Sequence, residues 1–325
     1  MGMSRHALIR IPLILTLLAP GALAQTRTSG EVKAATSTAA NRAFHPDAAY
    51  TNAQSFSAVI GKPAVLLDSS NVCILAPKSR EQAAAIVLPY LTRAYDELYK
   101  IVGVHSKYKI LVYAYPKGTA GVRGGTSGCV IKYTDENLDL ASHSEWKQYR
   151  VPHVSGYIEE MAHNFVHATG AEFGWEMIGW TISTKVSELV APNPIHRQSV
   201  TETQQNQDRT YQRYMAASQT FPPDLSGDQA DRLHAYLLRK CERQYGTNFW
   251  RDFFAEVRKQ QPAFAAPAAQ GESRGLNERY RLTVECFNRL PGLNFKKLLE
   301  QNGISTTIAI QSLKPTQPGW NRKLQ

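Results

Sequence analysis

Residues 155–167 read Ser-Gly-Tyr-Ile-Glu-Glu-Met-Ala-His-Asn-Phe-Val-His, and this stretch decides how the rest of the chain is interpreted. On an ideal α-helix each residue advances by about 100°. Glu159, Glu160, His163 and His167 then share one sector roughly 100° wide, and the opposite side of the helix is apolar. The pattern therefore predicts an apolar helix that presents one narrow polar stripe made of these four side chains.

The polar stripe has two interpretations. Two imidazoles four residues apart can hold one metal ion, and carboxylates beside them are the other usual ligands or bases. A buried helix can equally carry histidines that only form hydrogen bonds, or ordinary ion pairs with adjacent glutamates. The spacing is compatible with both, so it predicts a candidate site without choosing its chemistry.

The part of the chain before the polar stripe has the patterns of strands. Short apolar runs predict strands at 64–67, 72–76, 109–115 and 129–133. Between the second and third, Ser79 and Gln82 form a potential capping box that opens a helix running towards Gly103. The glycine-rich residues 117–128 lack the G-K-[ST] ending of a phosphate-binding loop and are interpreted as a strand connection.

From residue 153 onward the chain has mainly helical patterns. Helical spacing or good helix formers predict helices at 154–169, 174–190, 198–216, 228–245, 247–261, 275–288 and 294–302. The Ala/Pro/Gln-rich residues 262–271 are interpreted as a loop. Strands first and helices later predict an α+β fold, in which a small N-terminal sheet with a helix packed on it precedes a mostly helical half.

The beginning of the chain has the order of a secretory signal. A basic end with Arg5 and Arg10, an apolar run and the small-residue exit Ala22-Leu23-Ala24 predict cleavage after Ala24. The predicted organisation is a signal peptide (1–24), a disordered leader (25–50), a sheet subdomain (51–152), a helical subdomain (153–310) and a C-terminal tail (311–325). The protein is therefore expected to be secreted or periplasmic, without a transmembrane segment.

The formal net charge of +10 is spread along the chain. Nucleic-acid binding favours clustered basic residues with interleaved aromatics, and no such stripe is present, so no nucleic-acid partner is predicted. We expect a monomer.

Four cysteines remain after signal cleavage: Cys73, Cys129, Cys241 and Cys286. An even number in an oxidising compartment indicates two disulfides, and three connectivities are possible. The grouping along the chain favours Cys73–Cys129 and Cys241–Cys286.

The stretch Glu-Glu-Met-Ala-His-Asn-Phe at 159–165 resembles the active helix of the enhancin-like, mucin-degrading gluzincins, which reads H-E-x-x-H-N. It is also similar to the helix of plant and bacterial basic secretory proteins. Residues 231–254 and 286–304 resemble the later helices of those families, and the likeness covers about residues 60–305. The resemblance implies a zincin-like fold and a zinc metallopeptidase, but Glu159 stands where the first histidine belongs, so the motif is altered.

The resemblance also implies roles for individual residues. His163 matches the second histidine ligand of Zn²⁺ and Glu160 matches the glutamate that accepts a proton from the water bound to the metal. The third ligand comes from a glutamate on the following helix, where Gly179 best fits the spacing and Glu176 and Glu188 are available. The predicted metal ligands are Glu159, His163, His167, Glu176 and Glu188.

A shifted register is possible, in which His163 and His167 are the histidine pair. It places Asn164 where the base belongs, and an amide cannot accept that proton at neutral pH. Trp175, Trp180 and Tyr214 are the predicted substrate-cleft residues.

Two functions follow from these patterns. The first is an exported zincin-like metallohydrolase, a peptidase that acts on peptide or glycoprotein through a metal-bound water. The second is a catalytically inactive zincin-like protein that serves as an extracytoplasmic glycan- or peptide-binding module, because folds outlive their chemistry.

Overall fold

The computed structural model describes most of the chain between residues 53 and 307. The described residues are 53–106, 108–118, 125–127, 129–142, 154–173, 176–190, 201, 204–206, 208–209, 212, 227–269, 272–302 and 304–307. The predicted signal peptide, leader and tail lie outside them, as do most of the predicted helix 198–216, Trp175 and Tyr214.

Five strands form one mixed sheet. They are β1 (Ala64–Asp68), β2 (Val72–Pro77), β3 (Ile110–Tyr115), β4 (Gly125–Ser127) and β5 (Val130–Thr134), in the spatial order β1-β2-β3-β5-β4. The inner strands β2, β3 and β5 run parallel, whereas the edge strands β1 and β4 are antiparallel to their neighbours. β2 and β3 are buried along their whole length, because helices and strands surround them, and this explains their continuous apolar sequences.

Helices cover both faces of the sheet. α1 (Ala53–Ile60) packs on one face, where Phe56 contacts Tyr113 at a ring-centroid distance of 4.5 Å. α2 (Glu81–Val102) packs on the other face and ends at Gly103, whose positive φ of 75° lets its N–H donate to the carbonyl of Tyr99. α3 (Asp135–Ser142) follows β5. The sequence patterns predicted α2 but neither α1 nor α3.

The second half of the described chain is helical. It contains α4 (Val154–Thr169), α5 (Met177–Val190), α6 (Gly227–Tyr245), α7 (Phe249–Lys259), α8 (Gln261–Ala269), α9 (Glu272–Asn288) and α10 (Phe295–Gln301). The predicted α+β class, with a small sheet and mostly helical content, is confirmed. One hydrophobic core extends from the sheet residues Val72 and Val112 through α4 to Phe287 and Phe295, so the two predicted subdomains share it.

Three local predictions are wrong. The capping box at Ser79 does not form, because residues Lys78–Arg80 make a 3-10 turn and α2 begins at Glu81 without a side-chain cap. The predicted loop 262–271 is largely the helix α8, whose Phe264 is fully buried, and the high helix propensity of alanine agrees with this. The glycine-rich connection 117–128 contains the edge strand β4.

The predicted disulfides are not formed either, and all four cysteines are buried thiols. Cys73 on β2 and Cys129 before β5 lie on opposite sides of β3. Two strand spacings amount to about 10 Å, which exceeds the roughly 7 Å that a disulfide tolerates between Cα atoms. Burial raises the pKa of Cys73, Cys241 and Cys286 to about 12, so these thiols stay protonated.

Within the described residues, no helix combines the length and the apolar character that crossing a bilayer requires.

Candidate functional site

The helix α4 carries the polar stripe at the surface of the core. Its apolar side, including Ile158, Met161 and Phe165, is completely buried. Because the stripe lies on the other side, His163 is buried against α5, Glu159 and Glu160 are half-buried, and His167 is exposed. The side chain of Glu159 reaches towards His163 one turn later, with Oε1 3.9 Å from Nε2. The local helix period thus brings these groups together.

Glu176 completes the cluster from outside α4. It precedes the first residue of α5, and its carbonyl accepts the N–H of Trp180. Its carboxylate lies between the two histidines: Oε2 is 3.8 Å from Nε2 of His163, and Oε1 is 3.3 Å from Nε2 of His167. Glu176 has a positive φ of 59°, an unusual conformation for a residue other than glycine.

The donor set is chemically suited to zinc, and its spacing is slightly wide. Four donors held about 2.1 Å from one ion in a tetrahedron lie about 3.4 Å from each other. Nε2 of His163 lies 3.9 Å from Oε1 of Glu159 and 3.8 Å from Oε2 of Glu176, and Nε2 of His167 lies 3.3 Å from the other oxygen of Glu176. Among the described residues, no group of three or more His, Cys, Asp or Glu already has metal-binding geometry.

The charges in the cluster act on one another. Burial opposes the charged form of His163, but Glu159, Glu176 and Glu160 outweigh it, and the pKa of His163 is raised. Burial is also the main cause that raises the pKa of Glu160, with Glu159 and Glu176 adding to it and His163 opposing it. Burial, followed by the charges of Glu160 and Glu159, raises the pKa of the Tyr133 hydroxyl.

Gly179 on α5 forms the surface against which His163 lies. A methyl group at Gly179 would overlap Nδ1 of His163 and would lie 3.1 Å from its Cε1. Nδ1 is buried and has no hydrogen-bond partner. The resemblance assigns a ligand glutamate to position 179, but the His163 ring fills the space where that side chain would lie. The nearby carboxylate belongs to Glu176, three residues earlier in the chain.

The other predicted site residues lie elsewhere. Glu188 is twelve residues after Glu176, about 18 Å further along the helix axis, and it accepts a hydrogen bond from Thr201. Trp180 packs under the guanidinium of Arg239, whose Cζ is 5.4 Å from the ring centroid. Trp175 and Tyr214 are outside the described residues. The structure therefore does not bring Glu188 to the histidines.

The position of Asn164 bears on the register of the motif. Its side-chain amide is buried and donates to the carbonyl of Glu160, 2.8 Å away. Asn164 is thus part of the helix packing, and the half-buried carboxylate next to His163 belongs to Glu160. Asn164 therefore serves the packing of the helix in either register.

Two residues of the cluster were missed by the sequence interpretation. Glu172 lies near His167, Arg279 and Glu176, and burial raises its pKa to about 7. Its carboxyl group is enclosed although the residue as a whole is only half-buried. Tyr133 comes from β5. Glu172 is separated from Glu176 by three residues, a weak local signal, whereas nothing near Tyr133 in the sequence indicates its contact with α4.

No protein-family model matches the chain, and no curated protein matches it. The chemistry of the site must therefore be argued from its own residues. Imidazoles and carboxylates such as those of His163, His167 and the neighbouring glutamates are groups that can hold a divalent cation and accept a proton beside it.

Proposed function

We propose that this protein is an exported, zincin-like metallohydrolase that cleaves peptide or glycoprotein substrates. The observation that carries the proposal is the Glu176 carboxylate, which lies 3.3 and 3.8 Å from the Nε2 atoms of two histidines on α4. A carboxylate shared by two imidazoles is an arrangement that a divalent cation stabilises. Secretion or a periplasmic location is part of the proposal and rests on the signal-like residues 1–24.

Glu159, His163 and Glu176 would hold Zn²⁺, with His167 within reach as a fourth donor. When bound, the ion would polarise a substrate carbonyl and lower the pKa of water. Glu160 is next to this donor set and is the group suited to accept a proton from water and pass it to the leaving amine. Burial raises the pKa of Glu160 above its ordinary value, and this makes its carboxylate a stronger proton acceptor.

The surrounding fold supports a site for an extended substrate. β4 is the edge strand of the sheet, and it packs against α4. An edge strand offers unpaired backbone groups to which an extended peptide can add. The mixed sheet, its antiparallel edge and the helix beside that edge agree with the zincin-like arrangement that the resemblance implies.

Zinc loading followed by hydrolysis assays tests the proposal. Protein prepared without chelator should bind one Zn²⁺ per chain by calorimetry and should cleave members of a quenched fluorogenic peptide library or a mucin glycoprotein. Glu160→Gln should retain zinc and lose at least about a hundredfold in kcat, whereas His163→Ala should lose zinc. Glu97→Gln, which changes a glutamate paired with Lys100 on α2, is the matched control. Failure of wild-type protein to bind stoichiometric zinc would overturn the proposal.

A second candidate function is a zinc-free binding module of the same fold. The observation in its favour is the buried, unpartnered Nδ1 of His163, because histidines that bind a metal usually donate their other ring N–H to a partner. This function predicts binding of peptide or glycan without cleavage, and binding that is unchanged when chelator is added.

A further inference from the structure

Two arginines on α6 share a single carboxylate. Nε and Nη2 of Arg239 donate to Oδ1 of Asp208, at 2.8 and 2.6 Å, and Nη1 of Arg243 donates to Oδ2, at 2.7 Å. Asp208 and Arg239 are buried, whereas 52 % of the Arg243 side chain is exposed. Because one carboxylate cannot neutralise two guanidinium groups, this cluster carries a surplus positive charge at its exposed member.

The arginine pair also has donors to spare. Nη1 of Arg239 is buried and has no hydrogen-bond partner. Within the described part of the chain, Arg243 donates to no acceptor other than Asp208. The next carboxylate on α6 belongs to Glu242, which is already paired with Lys185 on α5. A guanidinium group has five N–H groups in a planar fork, so Arg243 can hold a second carboxylate that comes from solvent.

Two ring contacts show how α6 lies relative to the candidate site. The ring of His234 meets that of Phe173, which precedes α5, at a centroid distance of 5.1 Å. Further along both segments, Cζ of Arg239 lies 5.4 Å from the ring centroid of Trp180. The order of these contacts means that α6 runs beside α5 in the same direction, and the arginines therefore follow the candidate site along both helices.

The helix rise gives the approximate separation of Arg243 from the site. Trp180 is one turn after Glu176, and Arg243 is one turn after Arg239, so each step adds about 6 Å along the helices. Arg243 is then roughly 12 Å beyond Glu176. An extended peptide advances about 3.3 Å per residue, so this distance corresponds to three or four residues of a bound peptide.

We propose that Arg243 forms a carboxylate-binding subsite, which selects substrates with an acidic residue three or four positions from the cleaved bond. Asp208 holds one end of the guanidinium group, which reduces the side-chain entropy lost when a ligand binds. The buried Arg239 anchors Asp208 in turn. The distance from the cleaved bond rests on the proposed function, whereas binding of the carboxylate itself requires no metal.

A positional scan of peptide substrates tests this subsite. Zinc-loaded full-length protein is assayed on a quenched fluorogenic peptide flanked by Gln, and on peptides in which one Gln at a time becomes Glu. Glu at the third or fourth position should raise kcat/KM about tenfold, chiefly through KM. Arg243→Gln should abolish this preference. Lys240→Gln is the matched control, because it removes the same charge from an exposed position on α6 and should keep the preference.

Binding to the zinc-free protein separates failure of the subsite from failure of the proposed function. At least one Glu peptide should bind about tenfold more tightly than its Gln parent by calorimetry, and about 1 M salt should remove the difference. If wild type cleaves nothing but keeps this difference, and Arg243→Gln loses it, the proposed function fails and the subsite stands. Cleavage of Glu and Gln peptides at equal kcat/KM would overturn the subsite and leave the proposed function standing. An unchanged preference in a folded Arg243→Gln variant would overturn the subsite as well.

Discussion

At the scale of single residues, the backbone conformation of Glu176 is the most informative feature of the site. An L-residue with a side chain pays about 1 kcal/mol for a left-handed conformation that glycine adopts freely. The ion pairs of Glu176 with the two histidines are partly exposed, and such pairs contribute at most about 1 kcal/mol. Strain of this kind is concentrated at functional positions.

Two replacements of Glu176 should therefore distinguish its effect on the free energy of unfolding from its effect on zinc affinity. Glu176→Gly removes both the strain and the carboxylate, whereas the matched variant Glu176→Ala removes only the carboxylate. We expect the glycine variant to have an unfolding free energy about 1 kcal/mol above that of the alanine variant by urea denaturation. Both should bind zinc about a hundredfold more weakly than wild type by calorimetry. Unchanged zinc affinity in both variants would remove Glu176 from the ligand set.

At the scale of elements, the packing of α4 against α5 decides which carboxylate faces the histidines. Gly179 allows the two helices to approach so closely that the His163 ring lies on the α5 backbone. This contact directs Nε2 of His163 towards Glu159 and Glu176. A side chain at position 179 would overlap this ring, and the carboxylate that faces the histidines comes from Glu176 in the turn before α5.

A methyl group at position 179 should destabilise the protein, although alanine is intrinsically a better helix former than glycine. At an unconstrained helical position Gly→Ala stabilises by about 1 kcal/mol, but Gly179→Ala should lower the unfolding free energy by about 1–3 kcal/mol through overpacking against His163. In a His163→Ala background the same substitution should cost less, because the ring is gone and only the backbone nitrogen of residue 163, 3.2 Å from the added Cβ, remains close. Urea denaturation of the four proteins measures this. Stabilisation by Gly179→Ala in the wild-type background would show that the contact is absent.

At the scale of the whole molecule, one hydrophobic core joins the sheet to the helices. Glu172, beside the candidate site, is linked to this core by a backbone hydrogen bond. The backbone N–H of Glu172 donates to Thr283 on α9, and its carboxyl group is enclosed near His167, Arg279 and Glu176. Because α9 belongs to the shared core, ionisation of this buried carboxyl group bears on the global unfolding equilibrium.

The stability of the zinc-free protein should consequently depend on pH through Glu172. Its pKa rises from 4.5 to about 7 in the folded state, so the folded state holds this proton more tightly. The contribution to unfolding free energy is complete below about pH 4.5 and is lost as the pH rises through about 7. Between these limits wild type should lose about 2 kcal/mol relative to Glu172→Gln, a value reduced to allow for partial solvent access. Parallel pH profiles of the two proteins would contradict this assignment.

The sequence by itself determined the features that depend on local geometry. The alignment of Glu159, His163 and His167 follows from the helix period, and the strands at 72–77 and 110–115 follow from apolar runs long enough for buried strands. The same periodicity predicted the extent of α4, including its apolar side. These features require only the regular geometry of a chain segment and its tendency to bury one side, so neighbouring residues carry all the necessary information.

Only the tertiary structure decided which distant groups meet. Glu176 rather than Glu188 faces the histidines because α5 begins one residue after Glu176 and carries Glu188 some three turns away. Tyr133 packs against Tyr157 because the order of strands places β5 beside α4, and Cys73 is kept from Cys129 because β3 pairs between their strands. Such contacts depend on the order of the strands and on how the helices pack against the sheet and each other. Since that packing free energy is summed over the whole core, no short segment of sequence reveals it.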